Sequence, residues 1–111
     1  MPSRNIVCFS YGQSPQQFLR CEIRSGLKPM PLKPSSCQFD WGGGFLLTSD
    51  RQKAEILCIS DTVYSPDFAI INYGKTWRKN GFSCNSTTNG LTCTNGKGNG
   101  FFMNREQWRA F

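Results

Sequence analysis

The sequence contains no histidine, the side chain that enzymes use most often as a general base and as a metal ligand. Without it, neither a Ser-His-Asp triad nor a Cys-His pair can form, and histidine-based zinc sites are excluded. If the six cysteines are paired, no thiolate nucleophile remains either. We therefore expect a protein that is not an enzyme and that uses no metal and no cofactor.

Long apolar runs and blocks of like charge are also lacking. No stretch approaches the roughly 18 apolar residues of a membrane-spanning helix, so we expect no transmembrane segment. The 13 Lys and Arg residues are scattered and exceed the seven acidic residues, which gives a net charge of +6. Because a nucleic-acid-binding arm would show a basic block, we expect no nucleic acid partner. The charge favours an anionic surface, polymer or protein, although a solvated basic surface explains it as well.

Six cysteines in 111 residues are typical of a disulfide framework. Zinc would need closer cysteine pairs than Cys84 and Cys93, the nearest two in the chain. Disulfides indicate the periplasm, the cell surface or secretion. The start Met1-Pro2-Ser3-Arg4 shows no apolar leader, so we expect a mature form with a new initiator Met. The alternative is a cytoplasmic protein, for which the disulfide argument would be weaker. The length predicts a single disulfide-stapled β domain over residues 1–111.

Six cysteines allow fifteen connectivities, and hairpin geometry favours pairing between neighbours. Residues 87–90, Thr-Thr-Asn-Gly, are typical of a hairpin loop and would place Cys84 opposite Cys93. The polar residues 12–17 would do the same for Cys8 and Cys21. The remaining pair is then Cys37 and Cys58.

The other elements are mostly strands. We predict strands at residues 45–47, 62–64, 68–72, 76–82 and 101–103, and an extended connector at residues 28–36, which contain three prolines. Asn104 followed by Gln107 resembles a helix capping box, and Trp108 and Phe111 would share one helical face. We therefore predict a short helix over residues 105–111. The fold class is mostly β, a small antiparallel sheet or barrel of disulfide-stapled hairpins with this C-terminal helix.

Two motifs could carry catalysis, and both have simpler explanations. Residues 69–76 match a relaxed phosphate-binding loop, but the residues after Thr76 are a poor helix start, so we interpret the match as chance. Asp40 and Asp61 each lie three residues after a cysteine of the middle pair. Two carboxylates can hydrolyse a glycosidic bond, whereas single aspartates more commonly cap turns.

Aromatic and basic residues supply the candidate binding site. Trp41, which precedes three glycines, could stack on a ligand, although a core position is the usual explanation. If one strand covers residues 73–79, alternation places Tyr73, Lys75, Trp77 and Lys79 on one face. That face resembles a stacking platform, and its alternative is a half-buried strand whose lysine stems cover the aromatic rings.

Several elements in order resemble a known family. They are Cys37-Gln38-Phe39-Asp40-Trp41-Gly42, Cys58-Ile59-Ser60-Asp61-Thr62, Gly90-Leu91-Thr92-Cys93-Thr94-Asn95 and Gly98-Asn99-Gly100-Phe101. From about Asn5 to its end the chain resembles small secreted or lipid-anchored bacterial proteins of uncharacterised function with six cysteines. The resemblance implies export and disulfides between neighbouring cysteines. It implies no activity, and Asn99 stands where the family often carries histidine.

We therefore expect an exported, non-enzymatic binding or accessory domain that docks on a protein partner in the bacterial envelope, in one version an immunity or inhibitor protein. One alternative is a module that binds a carbohydrate or an anionic envelope polymer through exposed aromatic residues and lysines. Another is a small hydrolase that uses Asp40 and Asp61.

Overall fold

A computed structural model of the chain describes residues 6–13, 16–49, 53–59, 74–79 and 81–111. These residues form two antiparallel sheets in which sequential strands are neighbours. The four-stranded sheet contains β1 Ile6–Gln13, β2 Gln16–Ile23, β3 Asp40–Thr48 and β4 Glu55–Ile59. The five-stranded sheet contains β5 Thr76–Lys79, β6 Phe82–Thr87, β7 Gly90–Asn95, β8 Gly100–Met103 and β9 Trp108–Ala110. The mostly-β prediction is confirmed, with two sheets in place of a single sheet or barrel.

The two sheets bury one common core between them. Along β6 the alternation of a strand places Phe82, Cys84 and Ser86 in the interior. Phe45 of β3 stacks on Phe101 of β8 with ring centroids 4.8 Å apart, and both rings are fully buried. This pair therefore forms part of the buried contact between the sheets.

The three predicted disulfides are all present in the structure. Cys8 lies directly opposite Cys21 on β1 and β2, and Cys84 lies opposite Cys93 on β6 and β7. The third disulfide joins Cys37 to Cys58. The Sγ atoms of Cys8, Cys21 and Cys93 lie within 4.8 Å of one another, so the two cross-strand disulfides meet between the sheets. Since these sulfurs are bonded in pairs, they are not the thiolates that bind zinc.

The predicted helix over residues 105–111 is wrong. Asn104 does behave as a cap, because its Oδ1 accepts the backbone N–H groups of Glu106 and Gln107, both at 2.8 Å. The chain then reverses and pairs as β9 with β8, so that Trp108 lies opposite Met103. A capping side chain can close a tight turn as well as begin a helix, and here pairing with β8 decides between them. The described residues contain no helix, and therefore none that could cross a membrane.

The strand predicted over residues 76–82 is confirmed for Thr76–Lys79, which is β5, but its extension to residue 82 is wrong. The chain turns after β5 at Gly81, whose φ of 86° is easy only for glycine, and β6 begins at Phe82. Because a strand follows Gly74 where a phosphate-binding loop needs a helix, the structure also argues against that motif. The predicted strands at residues 62–64 and 68–72 lie outside the described residues, whereas residues 45–47 and 101–103 are confirmed within β3 and β8.

We predict that Asn95→Ala lowers the free energy of unfolding by about 2 kcal/mol. The Asn95 side chain is buried and joins the sheets, because its Nδ2 donates to the Thr48 carbonyl at 2.9 Å. Its Oδ1 accepts the N–H groups of Lys97 and Asn99 in the β7–β8 turn. Alanine removes these three hydrogen bonds, and urea unfolding measures the cost.

Ser86→Ala is the matched control for this prediction. Ser86 is as buried as Asn95, but its Oγ has no hydrogen-bond partner among the described residues. Removing that hydroxyl should change stability by less than about 0.5 kcal/mol or should stabilise the protein. Equal losses for the two variants would contradict the role assigned to Asn95.

Candidate binding groove

A groove of about 560 Å³ opens at one side of the two sheets. It lies between β4 and β9, the last strands of the two sheets in chain order. The end of the connector closes it on a third side. We call it the Trp41–Trp108 groove, and its walls are formed by Pro34, Ser36, Cys37, Trp41, Lys53, Ala54, Glu55, Ile56, Cys58, Trp108 and Ala110.

Two half-buried tryptophans from different sheets fix the shape of this groove. Trp41 lies on β3 opposite Cys58, and its indole N–H donates to the Pro31 carbonyl at 3.1 Å. Trp108 begins β9, and its indole N–H donates to the Pro29 carbonyl at 2.8 Å. The Trp108 ring also contacts the buried Phe45 ring, with centroids 5.8 Å apart. Both rings are therefore held in place before any ligand arrives.

The connector, residues 28–36, carries both carbonyls that receive these indole N–H groups. It contains no strand or helix, as predicted. Before it, Leu27 is fully buried and its N–H donates to the Gly42 carbonyl at 2.8 Å. After it, the disulfide of Cys37 ties the chain to β4. The connector is thus fastened at both ends and in the middle.

The glycines after Trp41 let this packing occur. β3 changes register against β4 between Trp41 and Phe45, which marks a bulge. A side chain at Gly42 would overlap the Met30 sulfur of the connector, and one at Gly44 would overlap the Cys21 carbonyl of β2. The glycines after Trp41 therefore allow the connector and β2 to pack closely against β3.

The walls of the groove are mainly apolar, and its polar groups lie at the rim. Trp41, Trp108, Ile56 and two alanines supply apolar surface, whereas Ser36, Lys53 and Glu55 are exposed. One cation and one anion at the rim favour neither sign of ligand charge. The groove is suited to an apolar or amphipathic group whose polar atoms remain near water.

The whole chain, residues 1–111, matches the family model of DUF6636, a family of unknown function. The chain belongs to DUF6636. No curated protein and no solved structure matches the sequence. The family match thus agrees with the resemblance to an uncharacterised family, and the structure adds three disulfides between neighbouring cysteines.

The predicted binding residues of this DUF6636 chain do not come together. Trp41 lines the groove, whereas Trp77 lies on β5 at the opposite edge of the five-stranded sheet from Trp108. Four strand spacings separate those edges by about 19 Å. Trp77 is half-buried and packs against the core, as the simpler interpretation expects.

The two lysines of the predicted stacking face lie beside or within β5, the strand that carries Trp77. Lys75 is exposed and precedes β5, Lys79 ends that strand, and Tyr73 lies outside the described residues. Because β5 begins only at Thr76, the described strand does not run through the whole predicted face. The role of these residues in binding stays a prediction.

Only one of the two predicted carboxylates lies in the part of the chain that the structure describes. Asp40 is exposed at the start of β3 and lies opposite Ile59. Asp61 lies outside the described residues. The hydrolase hypothesis therefore stays a prediction without support from a measured separation.

Sequence reasoning missed Trp108 as a groove residue. The helix prediction placed it on a helical face, but the run Trp108-Arg109-Ala110 also fits a strand that alternates between inside and outside. In the structure Trp108 and Ala110 line the groove and Arg109 is exposed. This period-two pattern was the only local signal, and three residues are too few to decide it.

Proposed function

We propose that this protein is an exported, non-enzymatic binding module that docks on a protein partner in the bacterial envelope. In this proposal the Trp41–Trp108 groove holds an extended segment of the partner. The observation that carries it is the position of the groove between β4 and β9, two strands that end their sheets in the part of the chain that the structure describes.

The backbone of β9 supports recognition of an extended chain. β9 pairs with β8 on one side, and Phe111 continues that pairing with Gly100 in both directions at 2.9 Å. No described strand is hydrogen-bonded to its other side. An extended peptide can add to such an edge through main-chain hydrogen bonds, while pockets beside the edge select alternate side chains.

The groove beside β9 has the anatomy of a peptide anchor site. Tryptophans are enriched among the residues that dominate binding energy, and an apolar centre with a polar rim is typical of protein interfaces. Because Trp41 and Trp108 are already fixed by the connector, binding would order few side chains. The volume of about 560 Å³ suits a few side chains of a partner segment.

The three disulfides support the export part of the proposal. Such bonds persist in the periplasm, at the cell surface and in secreted proteins, and they are rare in the cytosol of most organisms. A rigid frame also suits an immunity or inhibitor protein, because a preformed surface loses little entropy on binding.

A carbohydrate or envelope-polymer ligand is the second candidate. Indole faces stack on sugar rings, and both tryptophans of the groove are available in its walls. The edge of β9 favours the peptide, since a sugar would not use a row of main-chain groups. A hydrolase that uses Asp40 and Asp61 has no such observation in its favour.

A matched pair of neighbouring serines tests the peptide proposal. Ser35 and Ser36 are both exposed, but only Ser36 lines the groove. We would select linear peptides from a random displayed library on the intact, oxidised protein and measure their affinity by calorimetry. Ser36→Arg should fill the groove and weaken binding by about tenfold or more, whereas Ser35→Arg should leave it within about twofold.

The same two variants decide between the candidates. Equal affinities for the two variants, or no selected peptide, would contradict a peptide site in the groove. If soluble glycan fragments bind, and Ser36→Arg weakens that binding while Ser35→Arg does not, the groove is a carbohydrate-binding site.

A further inference from the structure

The large apolar side chains that are exposed in the described part of the chain all lie between β2 and β3. They are Met30, Leu32 and Phe39, with 59%, 94% and 53% of their surfaces exposed. An exposed apolar residue is ordinary by itself, and what these three share is their place in one segment of the chain. Leu32 is the extreme case, because nearly its whole side chain projects into solvent.

The connector holds Leu32 in a fixed, outward position. The indole N–H groups of Trp108 and Trp41 donate to the carbonyls of Pro29 and Pro31, which lie three residues and one residue before Leu32. The Met30 side chain lies back against Gly42, with its sulfur over the position that a Cβ would occupy. Since proline also fixes its own backbone φ, the backbone at Pro31 beside Leu32 has little conformational freedom to lose on binding.

The charged residues between β2 and β3 are all basic. Lys28 and Lys33 are exposed on the connector, and residues 23–39 contain no acidic residue. The whole chain carries a net charge of +6. Leu32 is therefore an apolar tip between two lysines, and the positive charge of these lysines favours contact with an anionic surface.

We propose that residues 28–33 of the connector form a membrane-surface contact, in which Leu32 enters the interfacial region of an anionic bilayer and Lys28 and Lys33 bind lipid phosphates. Apolar side chains combined with lysines are typical of segments that lie at such an interface. The lysines also argue against a protein ligand at this tip, because lysine is depleted in protein interfaces. A tip of this kind further lacks the roughly 800 Å² that each partner buries in a standard protein interface.

This contact is separate from the groove, and it would orient the protein at a membrane while the groove remains available. A single apolar residue and two lysines give weak, reversible and salt-sensitive attachment. Leu32→Gln should therefore leave peptide affinity in the groove unchanged, so that the two proposals fail independently.

Vesicle co-sedimentation with the intact, oxidised protein tests the proposal. The probes are vesicles of phosphatidylcholine alone and vesicles that also contain phosphatidylglycerol. We expect binding only to the anionic vesicles, with loss of binding at high salt. Leu32→Gln should weaken it by about tenfold, and Lys33→Gln by about fivefold. Leu32→Trp should strengthen it, because tryptophan prefers the membrane interface.

Lys75→Gln is the matched control for Lys33→Gln. Both lysines are exposed, and Lys75 precedes β5 at the other edge of the five-stranded sheet from Trp108. The control should retain binding within about twofold. Equal losses for the two lysine variants would show a general charge effect and overturn the proposal. Absence of binding to anionic vesicles would also overturn the proposal. If the protein instead bound a protein ligand and Leu32→Gln abolished that binding, the tip would be a protein-binding site and the proposal would be wrong.

Discussion

Phe45→Ala is expected to lower the free energy of unfolding by about 4 kcal/mol. The Phe45 ring is fully buried, stacks on Phe101 of the other sheet and contacts the Trp108 ring. Alanine removes the aromatic contact and leaves a cavity where the two sheets meet, and the surrounding strands can close it only in part. Urea unfolding of the oxidised protein, followed by tryptophan fluorescence, measures the loss.

Phe102→Ala is the matched control for this expectation. Phe102 follows Phe101 on β8, but its side chain points to the other face of the sheet and is half-buried. We expect it to cost less than half as much as Phe45→Ala, because less apolar surface returns to water. Equal costs for the two variants would contradict a core centred on the Phe45–Phe101 stack.

Replacing Cys84 and Cys93 together by alanine is expected to cost about 4 kcal/mol. Roughly 3 kcal/mol is the loop-closure entropy that the cross-link removes from the unfolded chain. About 1 kcal/mol more comes from the packing of two fully buried sulfurs. Both sulfurs belong to the core cluster between the sheets, next to the other cross-strand disulfide.

The disulfide of Cys37 and Cys58 supplies the comparison. It closes a longer loop, 21 residues against nine, but Cys58 is only half-buried. If burial matters as we argue, its replacement by two alanines should cost about 3 kcal/mol, less than the buried pair. The reverse order, measured by urea unfolding, would show that loop length alone sets the contribution of each disulfide.

Local hairpins were the most predictable part of this fold. A turn at residues 87–90 brings Cys84 opposite Cys93 whatever the rest of the chain does, and the same holds for Cys8 and Cys21. The contact between the sheets was not predictable, because no local pattern reports which ring will lie on Phe45. The Asn80-Gly81 dipeptide is typical of a hairpin turn, and the prediction of one strand over residues 76–82 did not take it into account.

The C-terminal segment shows why one local signal can be misread. Asn104 makes the side-chain bonds of a helix cap, so that part of the prediction describes a real feature. The path of the chain after this cap depends on β8, whose main chain pairs with β9 and with Phe111. Pairing with the preceding strand across a tight turn thus overrides a local helix preference in this segment.

The candidate site was only half visible in the sequence. Trp41 was singled out because it precedes three glycines, and it does line the groove. Its neighbours Trp108 and Ala110 come from a strand in the other sheet, and Ile56 comes from β4. Residues that converge from three strands of two sheets carry no shared spacing along the chain, so only the folded structure reveals the groove.

Site-specific photo-crosslinking in intact exporting cells tests the central claim most directly. A photoreactive amino acid would replace Ser36, which lines the groove, or its exposed neighbour Ser35, which does not. Mass spectrometry would then identify the cross-linked group. We predict that position 36 cross-links to one linear segment of a single envelope protein and that position 35 does so far less. Equal cross-linking from both positions, or cross-links from position 36 to glycan alone, would contradict the claim that the groove holds a protein partner.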